Sequence, residues 1–380
     1  MTPDATDLLT SARRIVIKLG SALMREADGT TVRHKWLNSL ASDIANLAGA
    51  DKQFVLVTSG AVALGVPHIG YDRRPKRQDH AQAAAAVGQV ELLSAYRGAF
   101  EPHGLKPAQL LLAMEDFEDR ARYLTARRAA EALLDHGIIP VVNENDPIAD
   151  LTAGFGDNDR LAARVAQLVG ADLLVLLSDI DGLYTADPKL DTAATLIPLV
   201  DQISPEIRAM AGPPRVGSLG SGGMATKIAA ADIATAAGCA MVICQGAPDH
   251  PLSRLQQGDR ATWFKPTAKK LSVRKGWLQS LMQPKGSLLI DAGAVKAVRK
   301  GRSLLPAGIL TVEGRFKKGD PVAVKSADGD IIGQGLIAYD ATEVRIIRGC
   351  QSDEISELLG TDSGTAVIHA DDFVLTGPAN

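Results

Sequence analysis

Short apolar runs alternate with longer helical patterns over roughly the first 245 residues, and this alternation limits the fold more than any other feature of the chain. Six runs have the length and composition of buried strands: residues 15–18, 54–58, 110–112, 138–142, 173–177 and 240–244. Between them, residues 121–136 and 161–169 repeat apolar side chains at steps of three and four, as helices packed on a sheet do, and the alanine-rich residues 81–90 belong to the same class. The sequence therefore predicts an α/β fold with a doubly wound, mainly parallel sheet sandwiched by helices.

The pattern changes near residue 265. Five short β-branched segments follow, at residues 288–291, 309–312, 322–325, 331–336 and 343–347, and turn residues such as Asp328-Gly329 separate them. A chain of 380 residues also exceeds the size that one hydrophobic core usually supports. We therefore expect an α/β domain at residues 1–265, a linker at 266–284, a small β-rich domain at 285–372 and a tail at 373–380.

The composition argues against several classes of protein. A net charge of −3 provides no broad positive field that would attract a nucleic-acid backbone. The longest apolar runs are far shorter than the roughly 20 residues of a membrane span, and the first residues lack the apolar core of a secretory signal. The three cysteines lack the C-x-x-C spacing of zinc or redox sites, so we expect buried thiols and no metal ligands. These observations favour a cytoplasmic protein.

Two lysines occupy glycine-rich turns between strands and helices. Lys18 ends the first predicted strand and precedes Gly20-Ser21. A side chain at the carboxyl end of a parallel strand points toward the crevice in which open α/β sheets bind ligands. Lys227 follows a stretch with four glycines, residues 217–223, and opens a predicted helix at residues 228–237. Backbone amides and a lysine in such a turn can surround a phosphate. A surface side chain explains Lys18 alone equally well, whereas the glycine-rich loop favours a phosphate site.

Further strings place hydroxyl, amide and acidic side chains at the ends of predicted strands and helices. Thr58-Ser59-Gly60 follows one strand, Asn143-Glu144-Asn145-Asp146 follows another, and Gly156-Asp157-Asn158-Asp159 opens a helix. Helix caps and turns use the same residue types, which explains one such string more easily than two. Ser178-Asp179 ends the strand at 173–177, and its position fits contacts to a nucleotide.

This set of side chains suits phosphoryl transfer to a carboxylate. A carboxylate with a pKa of about 4.3 is already ionised at pH 7, so the reaction requires no general base. It requires instead that positive charge reduce the repulsion between this anion and the γ-phosphate of ATP. We predict that Lys18 and Lys227 supply that charge from opposite sides, that Asp159 holds both ammonium groups, and that Mg²⁺ bridges the phosphate oxygens. None of the seven histidines lies in these strings, which agrees with a reaction that has no histidine base.

Six strings, in chain order, resemble the motifs of the glutamate 5-kinase family: Ile-Lys-Leu-Gly-Ser at 17–21, Val-Thr-Ser-Gly-Ala at 57–61, Asn-Glu-Asn-Asp at 143–146, Gly-Asp-Asn-Asp at 156–159, Gly-Leu-Tyr-Thr-Ala-Asp-Pro at 182–188 and Gly-Ser-Gly-Gly-Met-Ala-Thr-Lys at 220–227. The β-rich C-terminal part resembles the PUA domain that many members carry. The resemblance spans nearly the whole chain and implies the amino-acid kinase fold followed by a PUA-like domain.

The resemblance also implies an activity and a set of site residues. The activity is ATP-dependent phosphorylation of L-glutamate to L-glutamyl 5-phosphate, the first step of proline biosynthesis, with proline as feedback inhibitor; we also expect a homo-oligomer. The residues that the resemblance assigns to ATP are Lys18, Ser178, Asp179, Ser221, Gly222, Gly223, Met224, Ala225, Thr226 and Lys227. Those that it assigns to glutamate are Ser59, Asp146 and Asn158. Family members often have Gly-Thr where this chain has Gly20-Ser21 and Gly220-Ser221, and both changes keep a hydroxyl group. Asp179-Ile180-Asp181 differs from the more polar or basic sequence expected there, so the contacts to the nucleotide base are not assigned.

Two alternatives stay open at this point. A sister amino-acid kinase would act on another small acceptor, because pocket shape and polar contacts set the choice of acceptor. An RNA-binding protein would use the basic residues of the PUA-like domain, which are Lys296, Arg299, Lys300, Arg302, Lys317 and Lys318. The acids Asp353, Glu354, Glu357, Asp371 and Asp372 oppose that field, so we expect negligible RNA affinity.

Overall fold

The computed structural model describes residues 5–49, 51–148, 158–212, 223–267, 284–351, 354–359 and 365–375. The chain divides into two compact units, Met1–Lys270 and Leu271–Asn380. The predicted linker at 266–284 lies mostly outside the described residues.

The first unit contains ten described strands and ten described helices. The strands are β1 Arg14–Leu19, β2 Gln53–Val57, β3 Lys106–Leu112, β4 Ile138–Glu144, β5 Leu173–Ser178, β6 Leu183–Tyr184, β7 Leu196–Ile197, β8 Leu199–Val200, β9 Ala240–Gln245 and β10 Ala261–Phe264. The helices are α1 Ala5–Ser11, α2 His34–Leu47, α3 Ala61–Gly65, α4 Gln78–Phe100, α5 Glu115–Glu118, α6 Arg120–Asp135, α7 Asn158–Val169, α8 Pro205–Met210, α9 Met224–Ala236 and α10 Pro251–Gln256.

Eight of these strands form one sheet in the order β3-β4-β2-β1-β5-β9-β10-β8. The six strands from β3 to β9 pair in parallel, while β10 pairs antiparallel with β9 and parallel with β8. The predicted doubly wound, mainly parallel sheet is therefore confirmed. Its antiparallel edge was not predicted, since β8 and β10 are too short to stand out from their surroundings.

The sheet order fixes where a ligand crevice opens. The chain leaves β1 toward β2 on one side, whereas it leaves β5 toward β9 on the other. Between two such strands, loops diverge beyond the carboxyl ends and leave a crevice, which is where open α/β sheets bind ligands. The loops that begin at Gly20 and at Asp179 border this crevice.

Helices cover both faces of the sheet. Ile15, Ile17 and Leu19 of β1 lie in a core that includes Trp36 and Leu40 of α2. Because side chains alternate along a strand, Val16 and Lys18 face the opposite layer, where α7 packs against β1 and α9. That layer supplies the remaining side chains of the site.

The predicted strand at 110–112 is longer in the structure, where β3 begins at Lys106. Since β3 is an edge strand and most of its residues are partly exposed, it lacks the continuous apolar run of the central strands. Pro107 is tolerated because an edge strand has one side free of ladder hydrogen bonds.

The second unit is a small β-rich fold with its own core. Its described strands and helices are β11 Gly286–Ile290, β12 Ile309–Gly314, β13 Pro321–Ser326, β14 Ile331–Leu336, β15 Phe373–Leu375, α11 Ala292–Arg299, α12 Ala341–Ile347 and α13 Ile355–Leu359. The strand order is β12-β11-β13-β14-β15, and only β11 and β13 pair in parallel among these strands. Because β15 pairs with β14, the sheet includes residues that the sequence pattern assigned to a tail beyond 372.

The predicted strand at 343–347 is wrong, because these residues belong to helix α12. Asp340 Oδ1 accepts hydrogen bonds from the backbone amides of Thr342 and Glu343, at 2.7 and 2.9 Å. Glu343 Oε2 accepts in return from the Asp340 amide at 2.8 Å, which completes a capping box. The buried residues Ala341, Val344 and Ile347 also recur at every third position, as one face of a helix does.

Candidate active site

Two lysines and one carboxylate meet beyond the carboxyl end of β1. Lys18 Nζ lies 2.5 Å from Asp159 Oδ1, and Lys227 Nζ lies 3.0 Å from Asp159 Oδ2. The three residues come from β1, from the first turn of α7 and from the first turn of α9. All three are buried, with Asp159 only 1% exposed. The structure thus brings together the three residues that the sequence predicted as catalytic.

The electrostatics of this cluster favour an anionic ligand. Burial by itself would raise the pKa of Asp159, but the charges of Lys18 and Lys227 and their hydrogen bonds outweigh it and lower the pKa to about 2. Asp159 is therefore ionised at neutral pH. With both lysines protonated, the cluster carries one net positive charge, and a buried net charge of this kind is best compensated by a bound anion.

The glycine-rich loop reaches this cluster through the start of α9. Gly223 stands directly before Met224, the first residue of the helix, and no side chain among the described residues caps the helix start. The Thr226 hydroxyl lies 3.1 Å from Asp159 Oδ2 and 2.8 Å from the Gly223 carbonyl oxygen. Uncapped amides at a helix start suit phosphate oxygens. Of the other predicted ATP residues, Ala225 lies in the same turn, whereas Ser221 and Gly222 lie outside the described residues.

Ser178 and Asp179 lie at the carboxyl end of β5, next to β1 in the sheet. Ser178 is buried and its hydroxyl donates to Asp179 Oδ1 at 3.1 Å, while Asp179 is exposed. The Gly246 amide donates to the Ser178 carbonyl oxygen at 2.7 Å, which ties this segment to the end of β9. These two residues therefore border the crevice on the side opposite to β2.

Two of the three predicted glutamate residues, Ser59 and Asp146, follow strands on the β2 side of the same edge, and the third, Asn158, begins helix α7. Ser59 follows β2, and its hydroxyl lies 3.5 Å from the Leu19 carbonyl oxygen of β1. Asp146 follows β4, and Asn158 stands beside Asp159 at the start of α7. No hydrogen bond between any two of these three residues is present in the described part of the chain.

Burial raises the pKa of Asp146 to about 6, although the charge of Arg74 acts in the opposite direction. A nearby cation stabilises the ionised form of a carboxyl group and so lowers a pKa that burial has raised. Asp146 is therefore suited to bind an ammonium group.

Two buried polar residues of the Asn-Glu-Asn-Asp string, Asn143 and Glu144, are not among the predicted site residues. Asn143 is 1% exposed, and its Nδ2 has no hydrogen-bond partner among the described residues. The same is true of Asn158 Oδ1. Burial, together with the negative charges of Asp146 and Glu115, raises the pKa of Glu144 to about 7. The sequence placed both residues in the Asn-Glu-Asn-Asp string but could not show that β4 continues through them and buries them.

Unpaired buried polar atoms are costly in a folded protein, and they cluster where a ligand completes them. Asn143 Nδ2 is a donor and Asn158 Oδ1 is an acceptor. A ligand with both a carboxylate and an ammonium group would satisfy one of each.

Comparison with known proteins identifies relatives for both units. A sequence profile of the amino acid kinase family matches residues 13–245, and one of the PUA domain matches residues 286–359. The glutamate 5-kinase of Jannaschia sp. (strain CCS1) is 52% identical over 367 residues, which cover 97% of this chain and 99% of that protein. The glutamate 5-kinase of Paracoccus denitrificans (strain Pd 1222) is 48% identical over 370 residues, with 97% and 99% covered. Glutamate 5-kinase 1 of Rhizobium meliloti (strain 1021) is 48% identical over 375 residues, with 99% and 95% covered.

Proposed function

The chain belongs to the amino acid kinase family and, within it, to the glutamate 5-kinases, and from this membership we propose how its residues carry out the reaction. The enzyme phosphorylates the side-chain carboxylate of L-glutamate with ATP to give L-glutamyl 5-phosphate, the first step of proline biosynthesis. The two alternatives, a sister kinase and an RNA-binding protein, are not favoured, because glutamate 5-kinases match nearly the whole chain.

The transfer needs charge compensation rather than a base. A side-chain carboxylate oxygen of glutamate forms a bond to the γ-phosphorus, the bond to the bridging oxygen breaks, and ADP leaves with that electron pair. Lys18 and Lys227 reduce the repulsion between the two anions and stabilise the charge on the transferring group. Asp159 keeps both ammonium groups within 3.0 Å of one carboxylate, so neither must be reoriented when the substrates bind.

The residues present fit the phosphates of ATP. The lysine cluster has a net positive charge, and the uncapped start of α9 adds backbone donors beside it. For Mg²⁺ the described residues contain no group of three or more acidic, histidine or cysteine side chains that could hold a metal ion. We propose that Mg²⁺ would bind together with ATP and would contribute charge neutralisation at the phosphates.

The acceptor is proposed to bind between Ser59, Asp146 and Asn158. Asp146 pairs with the α-ammonium group, and the Ser59 hydroxyl and the Asn158 side chain hydrogen-bond to the remaining polar groups. Asn143 belongs to the same pocket, because its buried Nδ2 needs an acceptor that a glutamate carboxylate can provide. This arrangement leaves the reacting carboxylate toward Lys18.

The observation that carries the proposal is the buried Lys18–Asp159–Lys227 cluster at the crevice of the sheet. The test is an assay in which hydroxylamine traps the acyl phosphate as a hydroxamate, with ATP and a series of acceptors: glutamate, aspartate, acetylglutamate and carbamate. We expect hydroxamate with glutamate and a far smaller rate with the others. An enzyme that forms no glutamate-dependent hydroxamate would refute the function.

Three finer proposals rest on the family alone. We propose that proline inhibits the enzyme, that the enzyme is a homo-oligomer and that it acts in the cytoplasm. Within the described residues no helix is long and apolar enough to cross a bilayer. Inhibition of the hydroxamate assay by proline, and the mass of the particle in solution by light scattering, test the first two.

A further inference from the structure

A buried threonine on β10 holds the hairpin that follows Ser178 and Asp179. Thr262 is 0% exposed. Its Oγ1 accepts a hydrogen bond from the Leu183 amide at 2.7 Å and donates one to the Ile197 carbonyl oxygen at 2.7 Å. Leu183 and Ile197 are partners across the β6–β7 hairpin, so one hydroxyl group bridges both of its strands.

The hairpin is very small and is tied to the main sheet by Thr262 and, one residue after β7, by a hydrogen bond from the Trp263 amide to the Pro198 carbonyl oxygen at 2.9 Å. β6 and β7 have two residues each and form a separate two-stranded sheet, which is too short to hold its position alone. Thr262, in contrast, belongs to the main sheet, where it is paired with Ile243 of β9. The Thr262 hydroxyl therefore fixes the hairpin relative to the main sheet.

Gly182, in the turn before the hairpin, packs against the Thr262 hydroxyl. A Cβ atom added at Gly182 would lie 2.5 Å from Thr262 Oγ1 and 2.6 Å from Leu196 Cδ1. Asp181 accepts hydrogen bonds from the Tyr184 hydroxyl at 2.9 and 3.0 Å, which closes the turn on its other side. Only a residue without a side chain fits between these contacts.

Ser178 and Asp179 are consequently held from both directions. The Gly246 amide binds the Ser178 carbonyl oxygen, and Gln245 Nε2 donates to the Asp179 carbonyl oxygen at 3.4 Å. From the other direction, the chain reaches the Thr262 anchor only four residues after Asp179. Without the Thr262 anchor, the segment keeps its contacts to Gln245 and Gly246 but loses its restraint on the hairpin side.

We propose that Thr262 is a positioning residue for the nucleotide, whose hydroxyl fixes the β6–β7 hairpin and thereby holds Ser178 and Asp179 at the ATP crevice. The proposal rests on the proposed function, because it takes Ser178 and Asp179 to contact ATP. Thr262 lies on β10, outside all six sequence motifs, and acts without touching the substrates.

The test compares Thr262→Val with Thr262→Ser in the full-length enzyme. Valine keeps the shape of threonine but leaves the Leu183 amide unpaired, so we expect the KM for ATP to rise about tenfold. The KM for glutamate should stay within about twofold, since Ser59, Asp146 and Asn158 are held by other elements. Serine restores the hydroxyl and should return the KM for ATP to within about twofold of the wild-type value.

A matched control separates this role from a loss of stability. Ser287→Ala also removes a buried hydroxyl, which donates to Glu313 Oε2 at 2.6 Å in the second unit. Both Thr262→Val and Ser287→Ala should lower the melting temperature, but only Thr262→Val should raise the KM for ATP. Equal changes in both KM values, or no change in either, would overturn the proposal.

Two further variants, Gly182→Ala and Asp179→Asn, test the anchor and the nucleotide contact separately. If Thr262→Val does not fold, Gly182→Ala tests the same contact with Thr262 intact, and an unchanged KM for ATP in that variant would overturn the proposal. Asp179→Asn tests the premise. If it leaves the KM for ATP unchanged, the nucleotide contacts and this inference both fail, whereas glutamate-dependent hydroxamate formation by the wild-type enzyme still stands.

Discussion

Asp159 determines the geometry of the site at the scale of single residues. Two buried ammonium groups repel each other, and a carboxylate that binds one with each oxygen keeps them in place. The lowered pKa of Asp159 keeps this carboxylate ionised at neutral pH. The two lysines differ in their surroundings, since Lys18 is the next-to-last residue of a strand and Lys227 lies in the first turn of the helix that follows the glycine-rich loop.

Removal of either lysine should impair the chemical step. We expect Lys18→Ala and Lys227→Ala each to lower kcat by about 10²-fold or more, because each loses a cation that stabilises the transferring phosphoryl group. Lys189→Ala, at an exposed position outside the site, is the control and should retain wild-type kcat. Circular dichroism checks the fold, and near-normal turnover in a folded lysine variant would contradict its role.

Loss of the shared carboxylate should affect both stability and rate. Asp159→Asn leaves two buried ammonium groups without a counterion, which we expect to cost about 3–5 kcal/mol of unfolding free energy. Bound ATP should restore part of the stability, because its phosphates replace the lost negative charge. Chemical denaturation with and without ATP measures this, and an equal stability in wild type and variant would refute the importance of the cluster.

Glu144 should make stability depend on pH in a defined direction. The unfolded chain releases this proton near pH 4.5, whereas the folded chain keeps it up to about pH 7. Between these values the folded state binds more protons than the unfolded state, so stability falls as pH rises. Glu144→Gln cannot ionise and should escape this loss.

The measurement is the melting temperature from pH 5 to pH 8. We expect the difference between Glu144→Gln and wild type to grow in favour of the variant as pH rises. Glu118→Gln, at an exposed position, should follow the wild-type curve at every pH. Parallel curves for all three proteins would show that Glu144 is not protonated in the folded state.

At the scale of helices and strands, side-chain hydrogen bonds to the backbone determine secondary structure as much as apolar patterns do. Three of the five residues at 343–347 are β-branched, which favours a strand when the segment is considered alone. The capping box formed by Asp340 and Glu343 makes it α12 instead. Similarly, the Thr262 hydroxyl hydrogen-bonds to both β6 and β7, which is a contact that no apolar pattern predicts.

The capping box should contribute measurably to the second unit. Asp340→Ala removes the acceptor of two amide hydrogen bonds, so we expect a loss of about 1 kcal/mol in unfolding free energy. Asp340→Asn keeps a side-chain oxygen and should lose much less. If denaturation curves of Asp340→Ala and wild type coincide, the cap is not significant.

At the scale of the whole molecule, the chain has two separate compact units, each with its own buried core. Val242 lies in the core of the first unit and Val324 in that of the second, and each is fully buried in a strand of its sheet. The candidate site is built from the first unit alone in the described residues. Stability of the second unit and catalysis should therefore respond to different substitutions.

A matched pair of valine substitutions tests this separation. Val242→Ala and Val324→Ala each remove two buried methyl groups, which we expect to cost about 2 kcal/mol in the unit that contains the valine. Glutamate and ATP should raise the unfolding temperature of the first unit, because they bind its folded state. Scanning calorimetry with and without the two ligands measures this, and Val324→Ala should leave both KM values unchanged.

The sequence by itself determined the sheet and the reacting groups of this protein. Buried parallel strands are local and apolar, so β1, β2, β4, β5 and β9 could be read from composition within a few residues. Lys18 and Lys227 could be singled out because each stands at a glycine-rich turn. Charge alone then indicated that a carboxylate acceptor needs cations rather than a base.

Only the tertiary structure decided how distant residues cooperate. Lys227 and Asp159 are 68 positions apart, and Thr262 and Leu183 are 79 apart, so no local pattern records that they touch. The orphaned Nδ2 of Asn143 and the raised pKa of Glu144 likewise depend on burial by the surrounding elements. Local sequence specifies which side chains can react, whereas packing sets their distances, their charge states and the shape that a substrate must match.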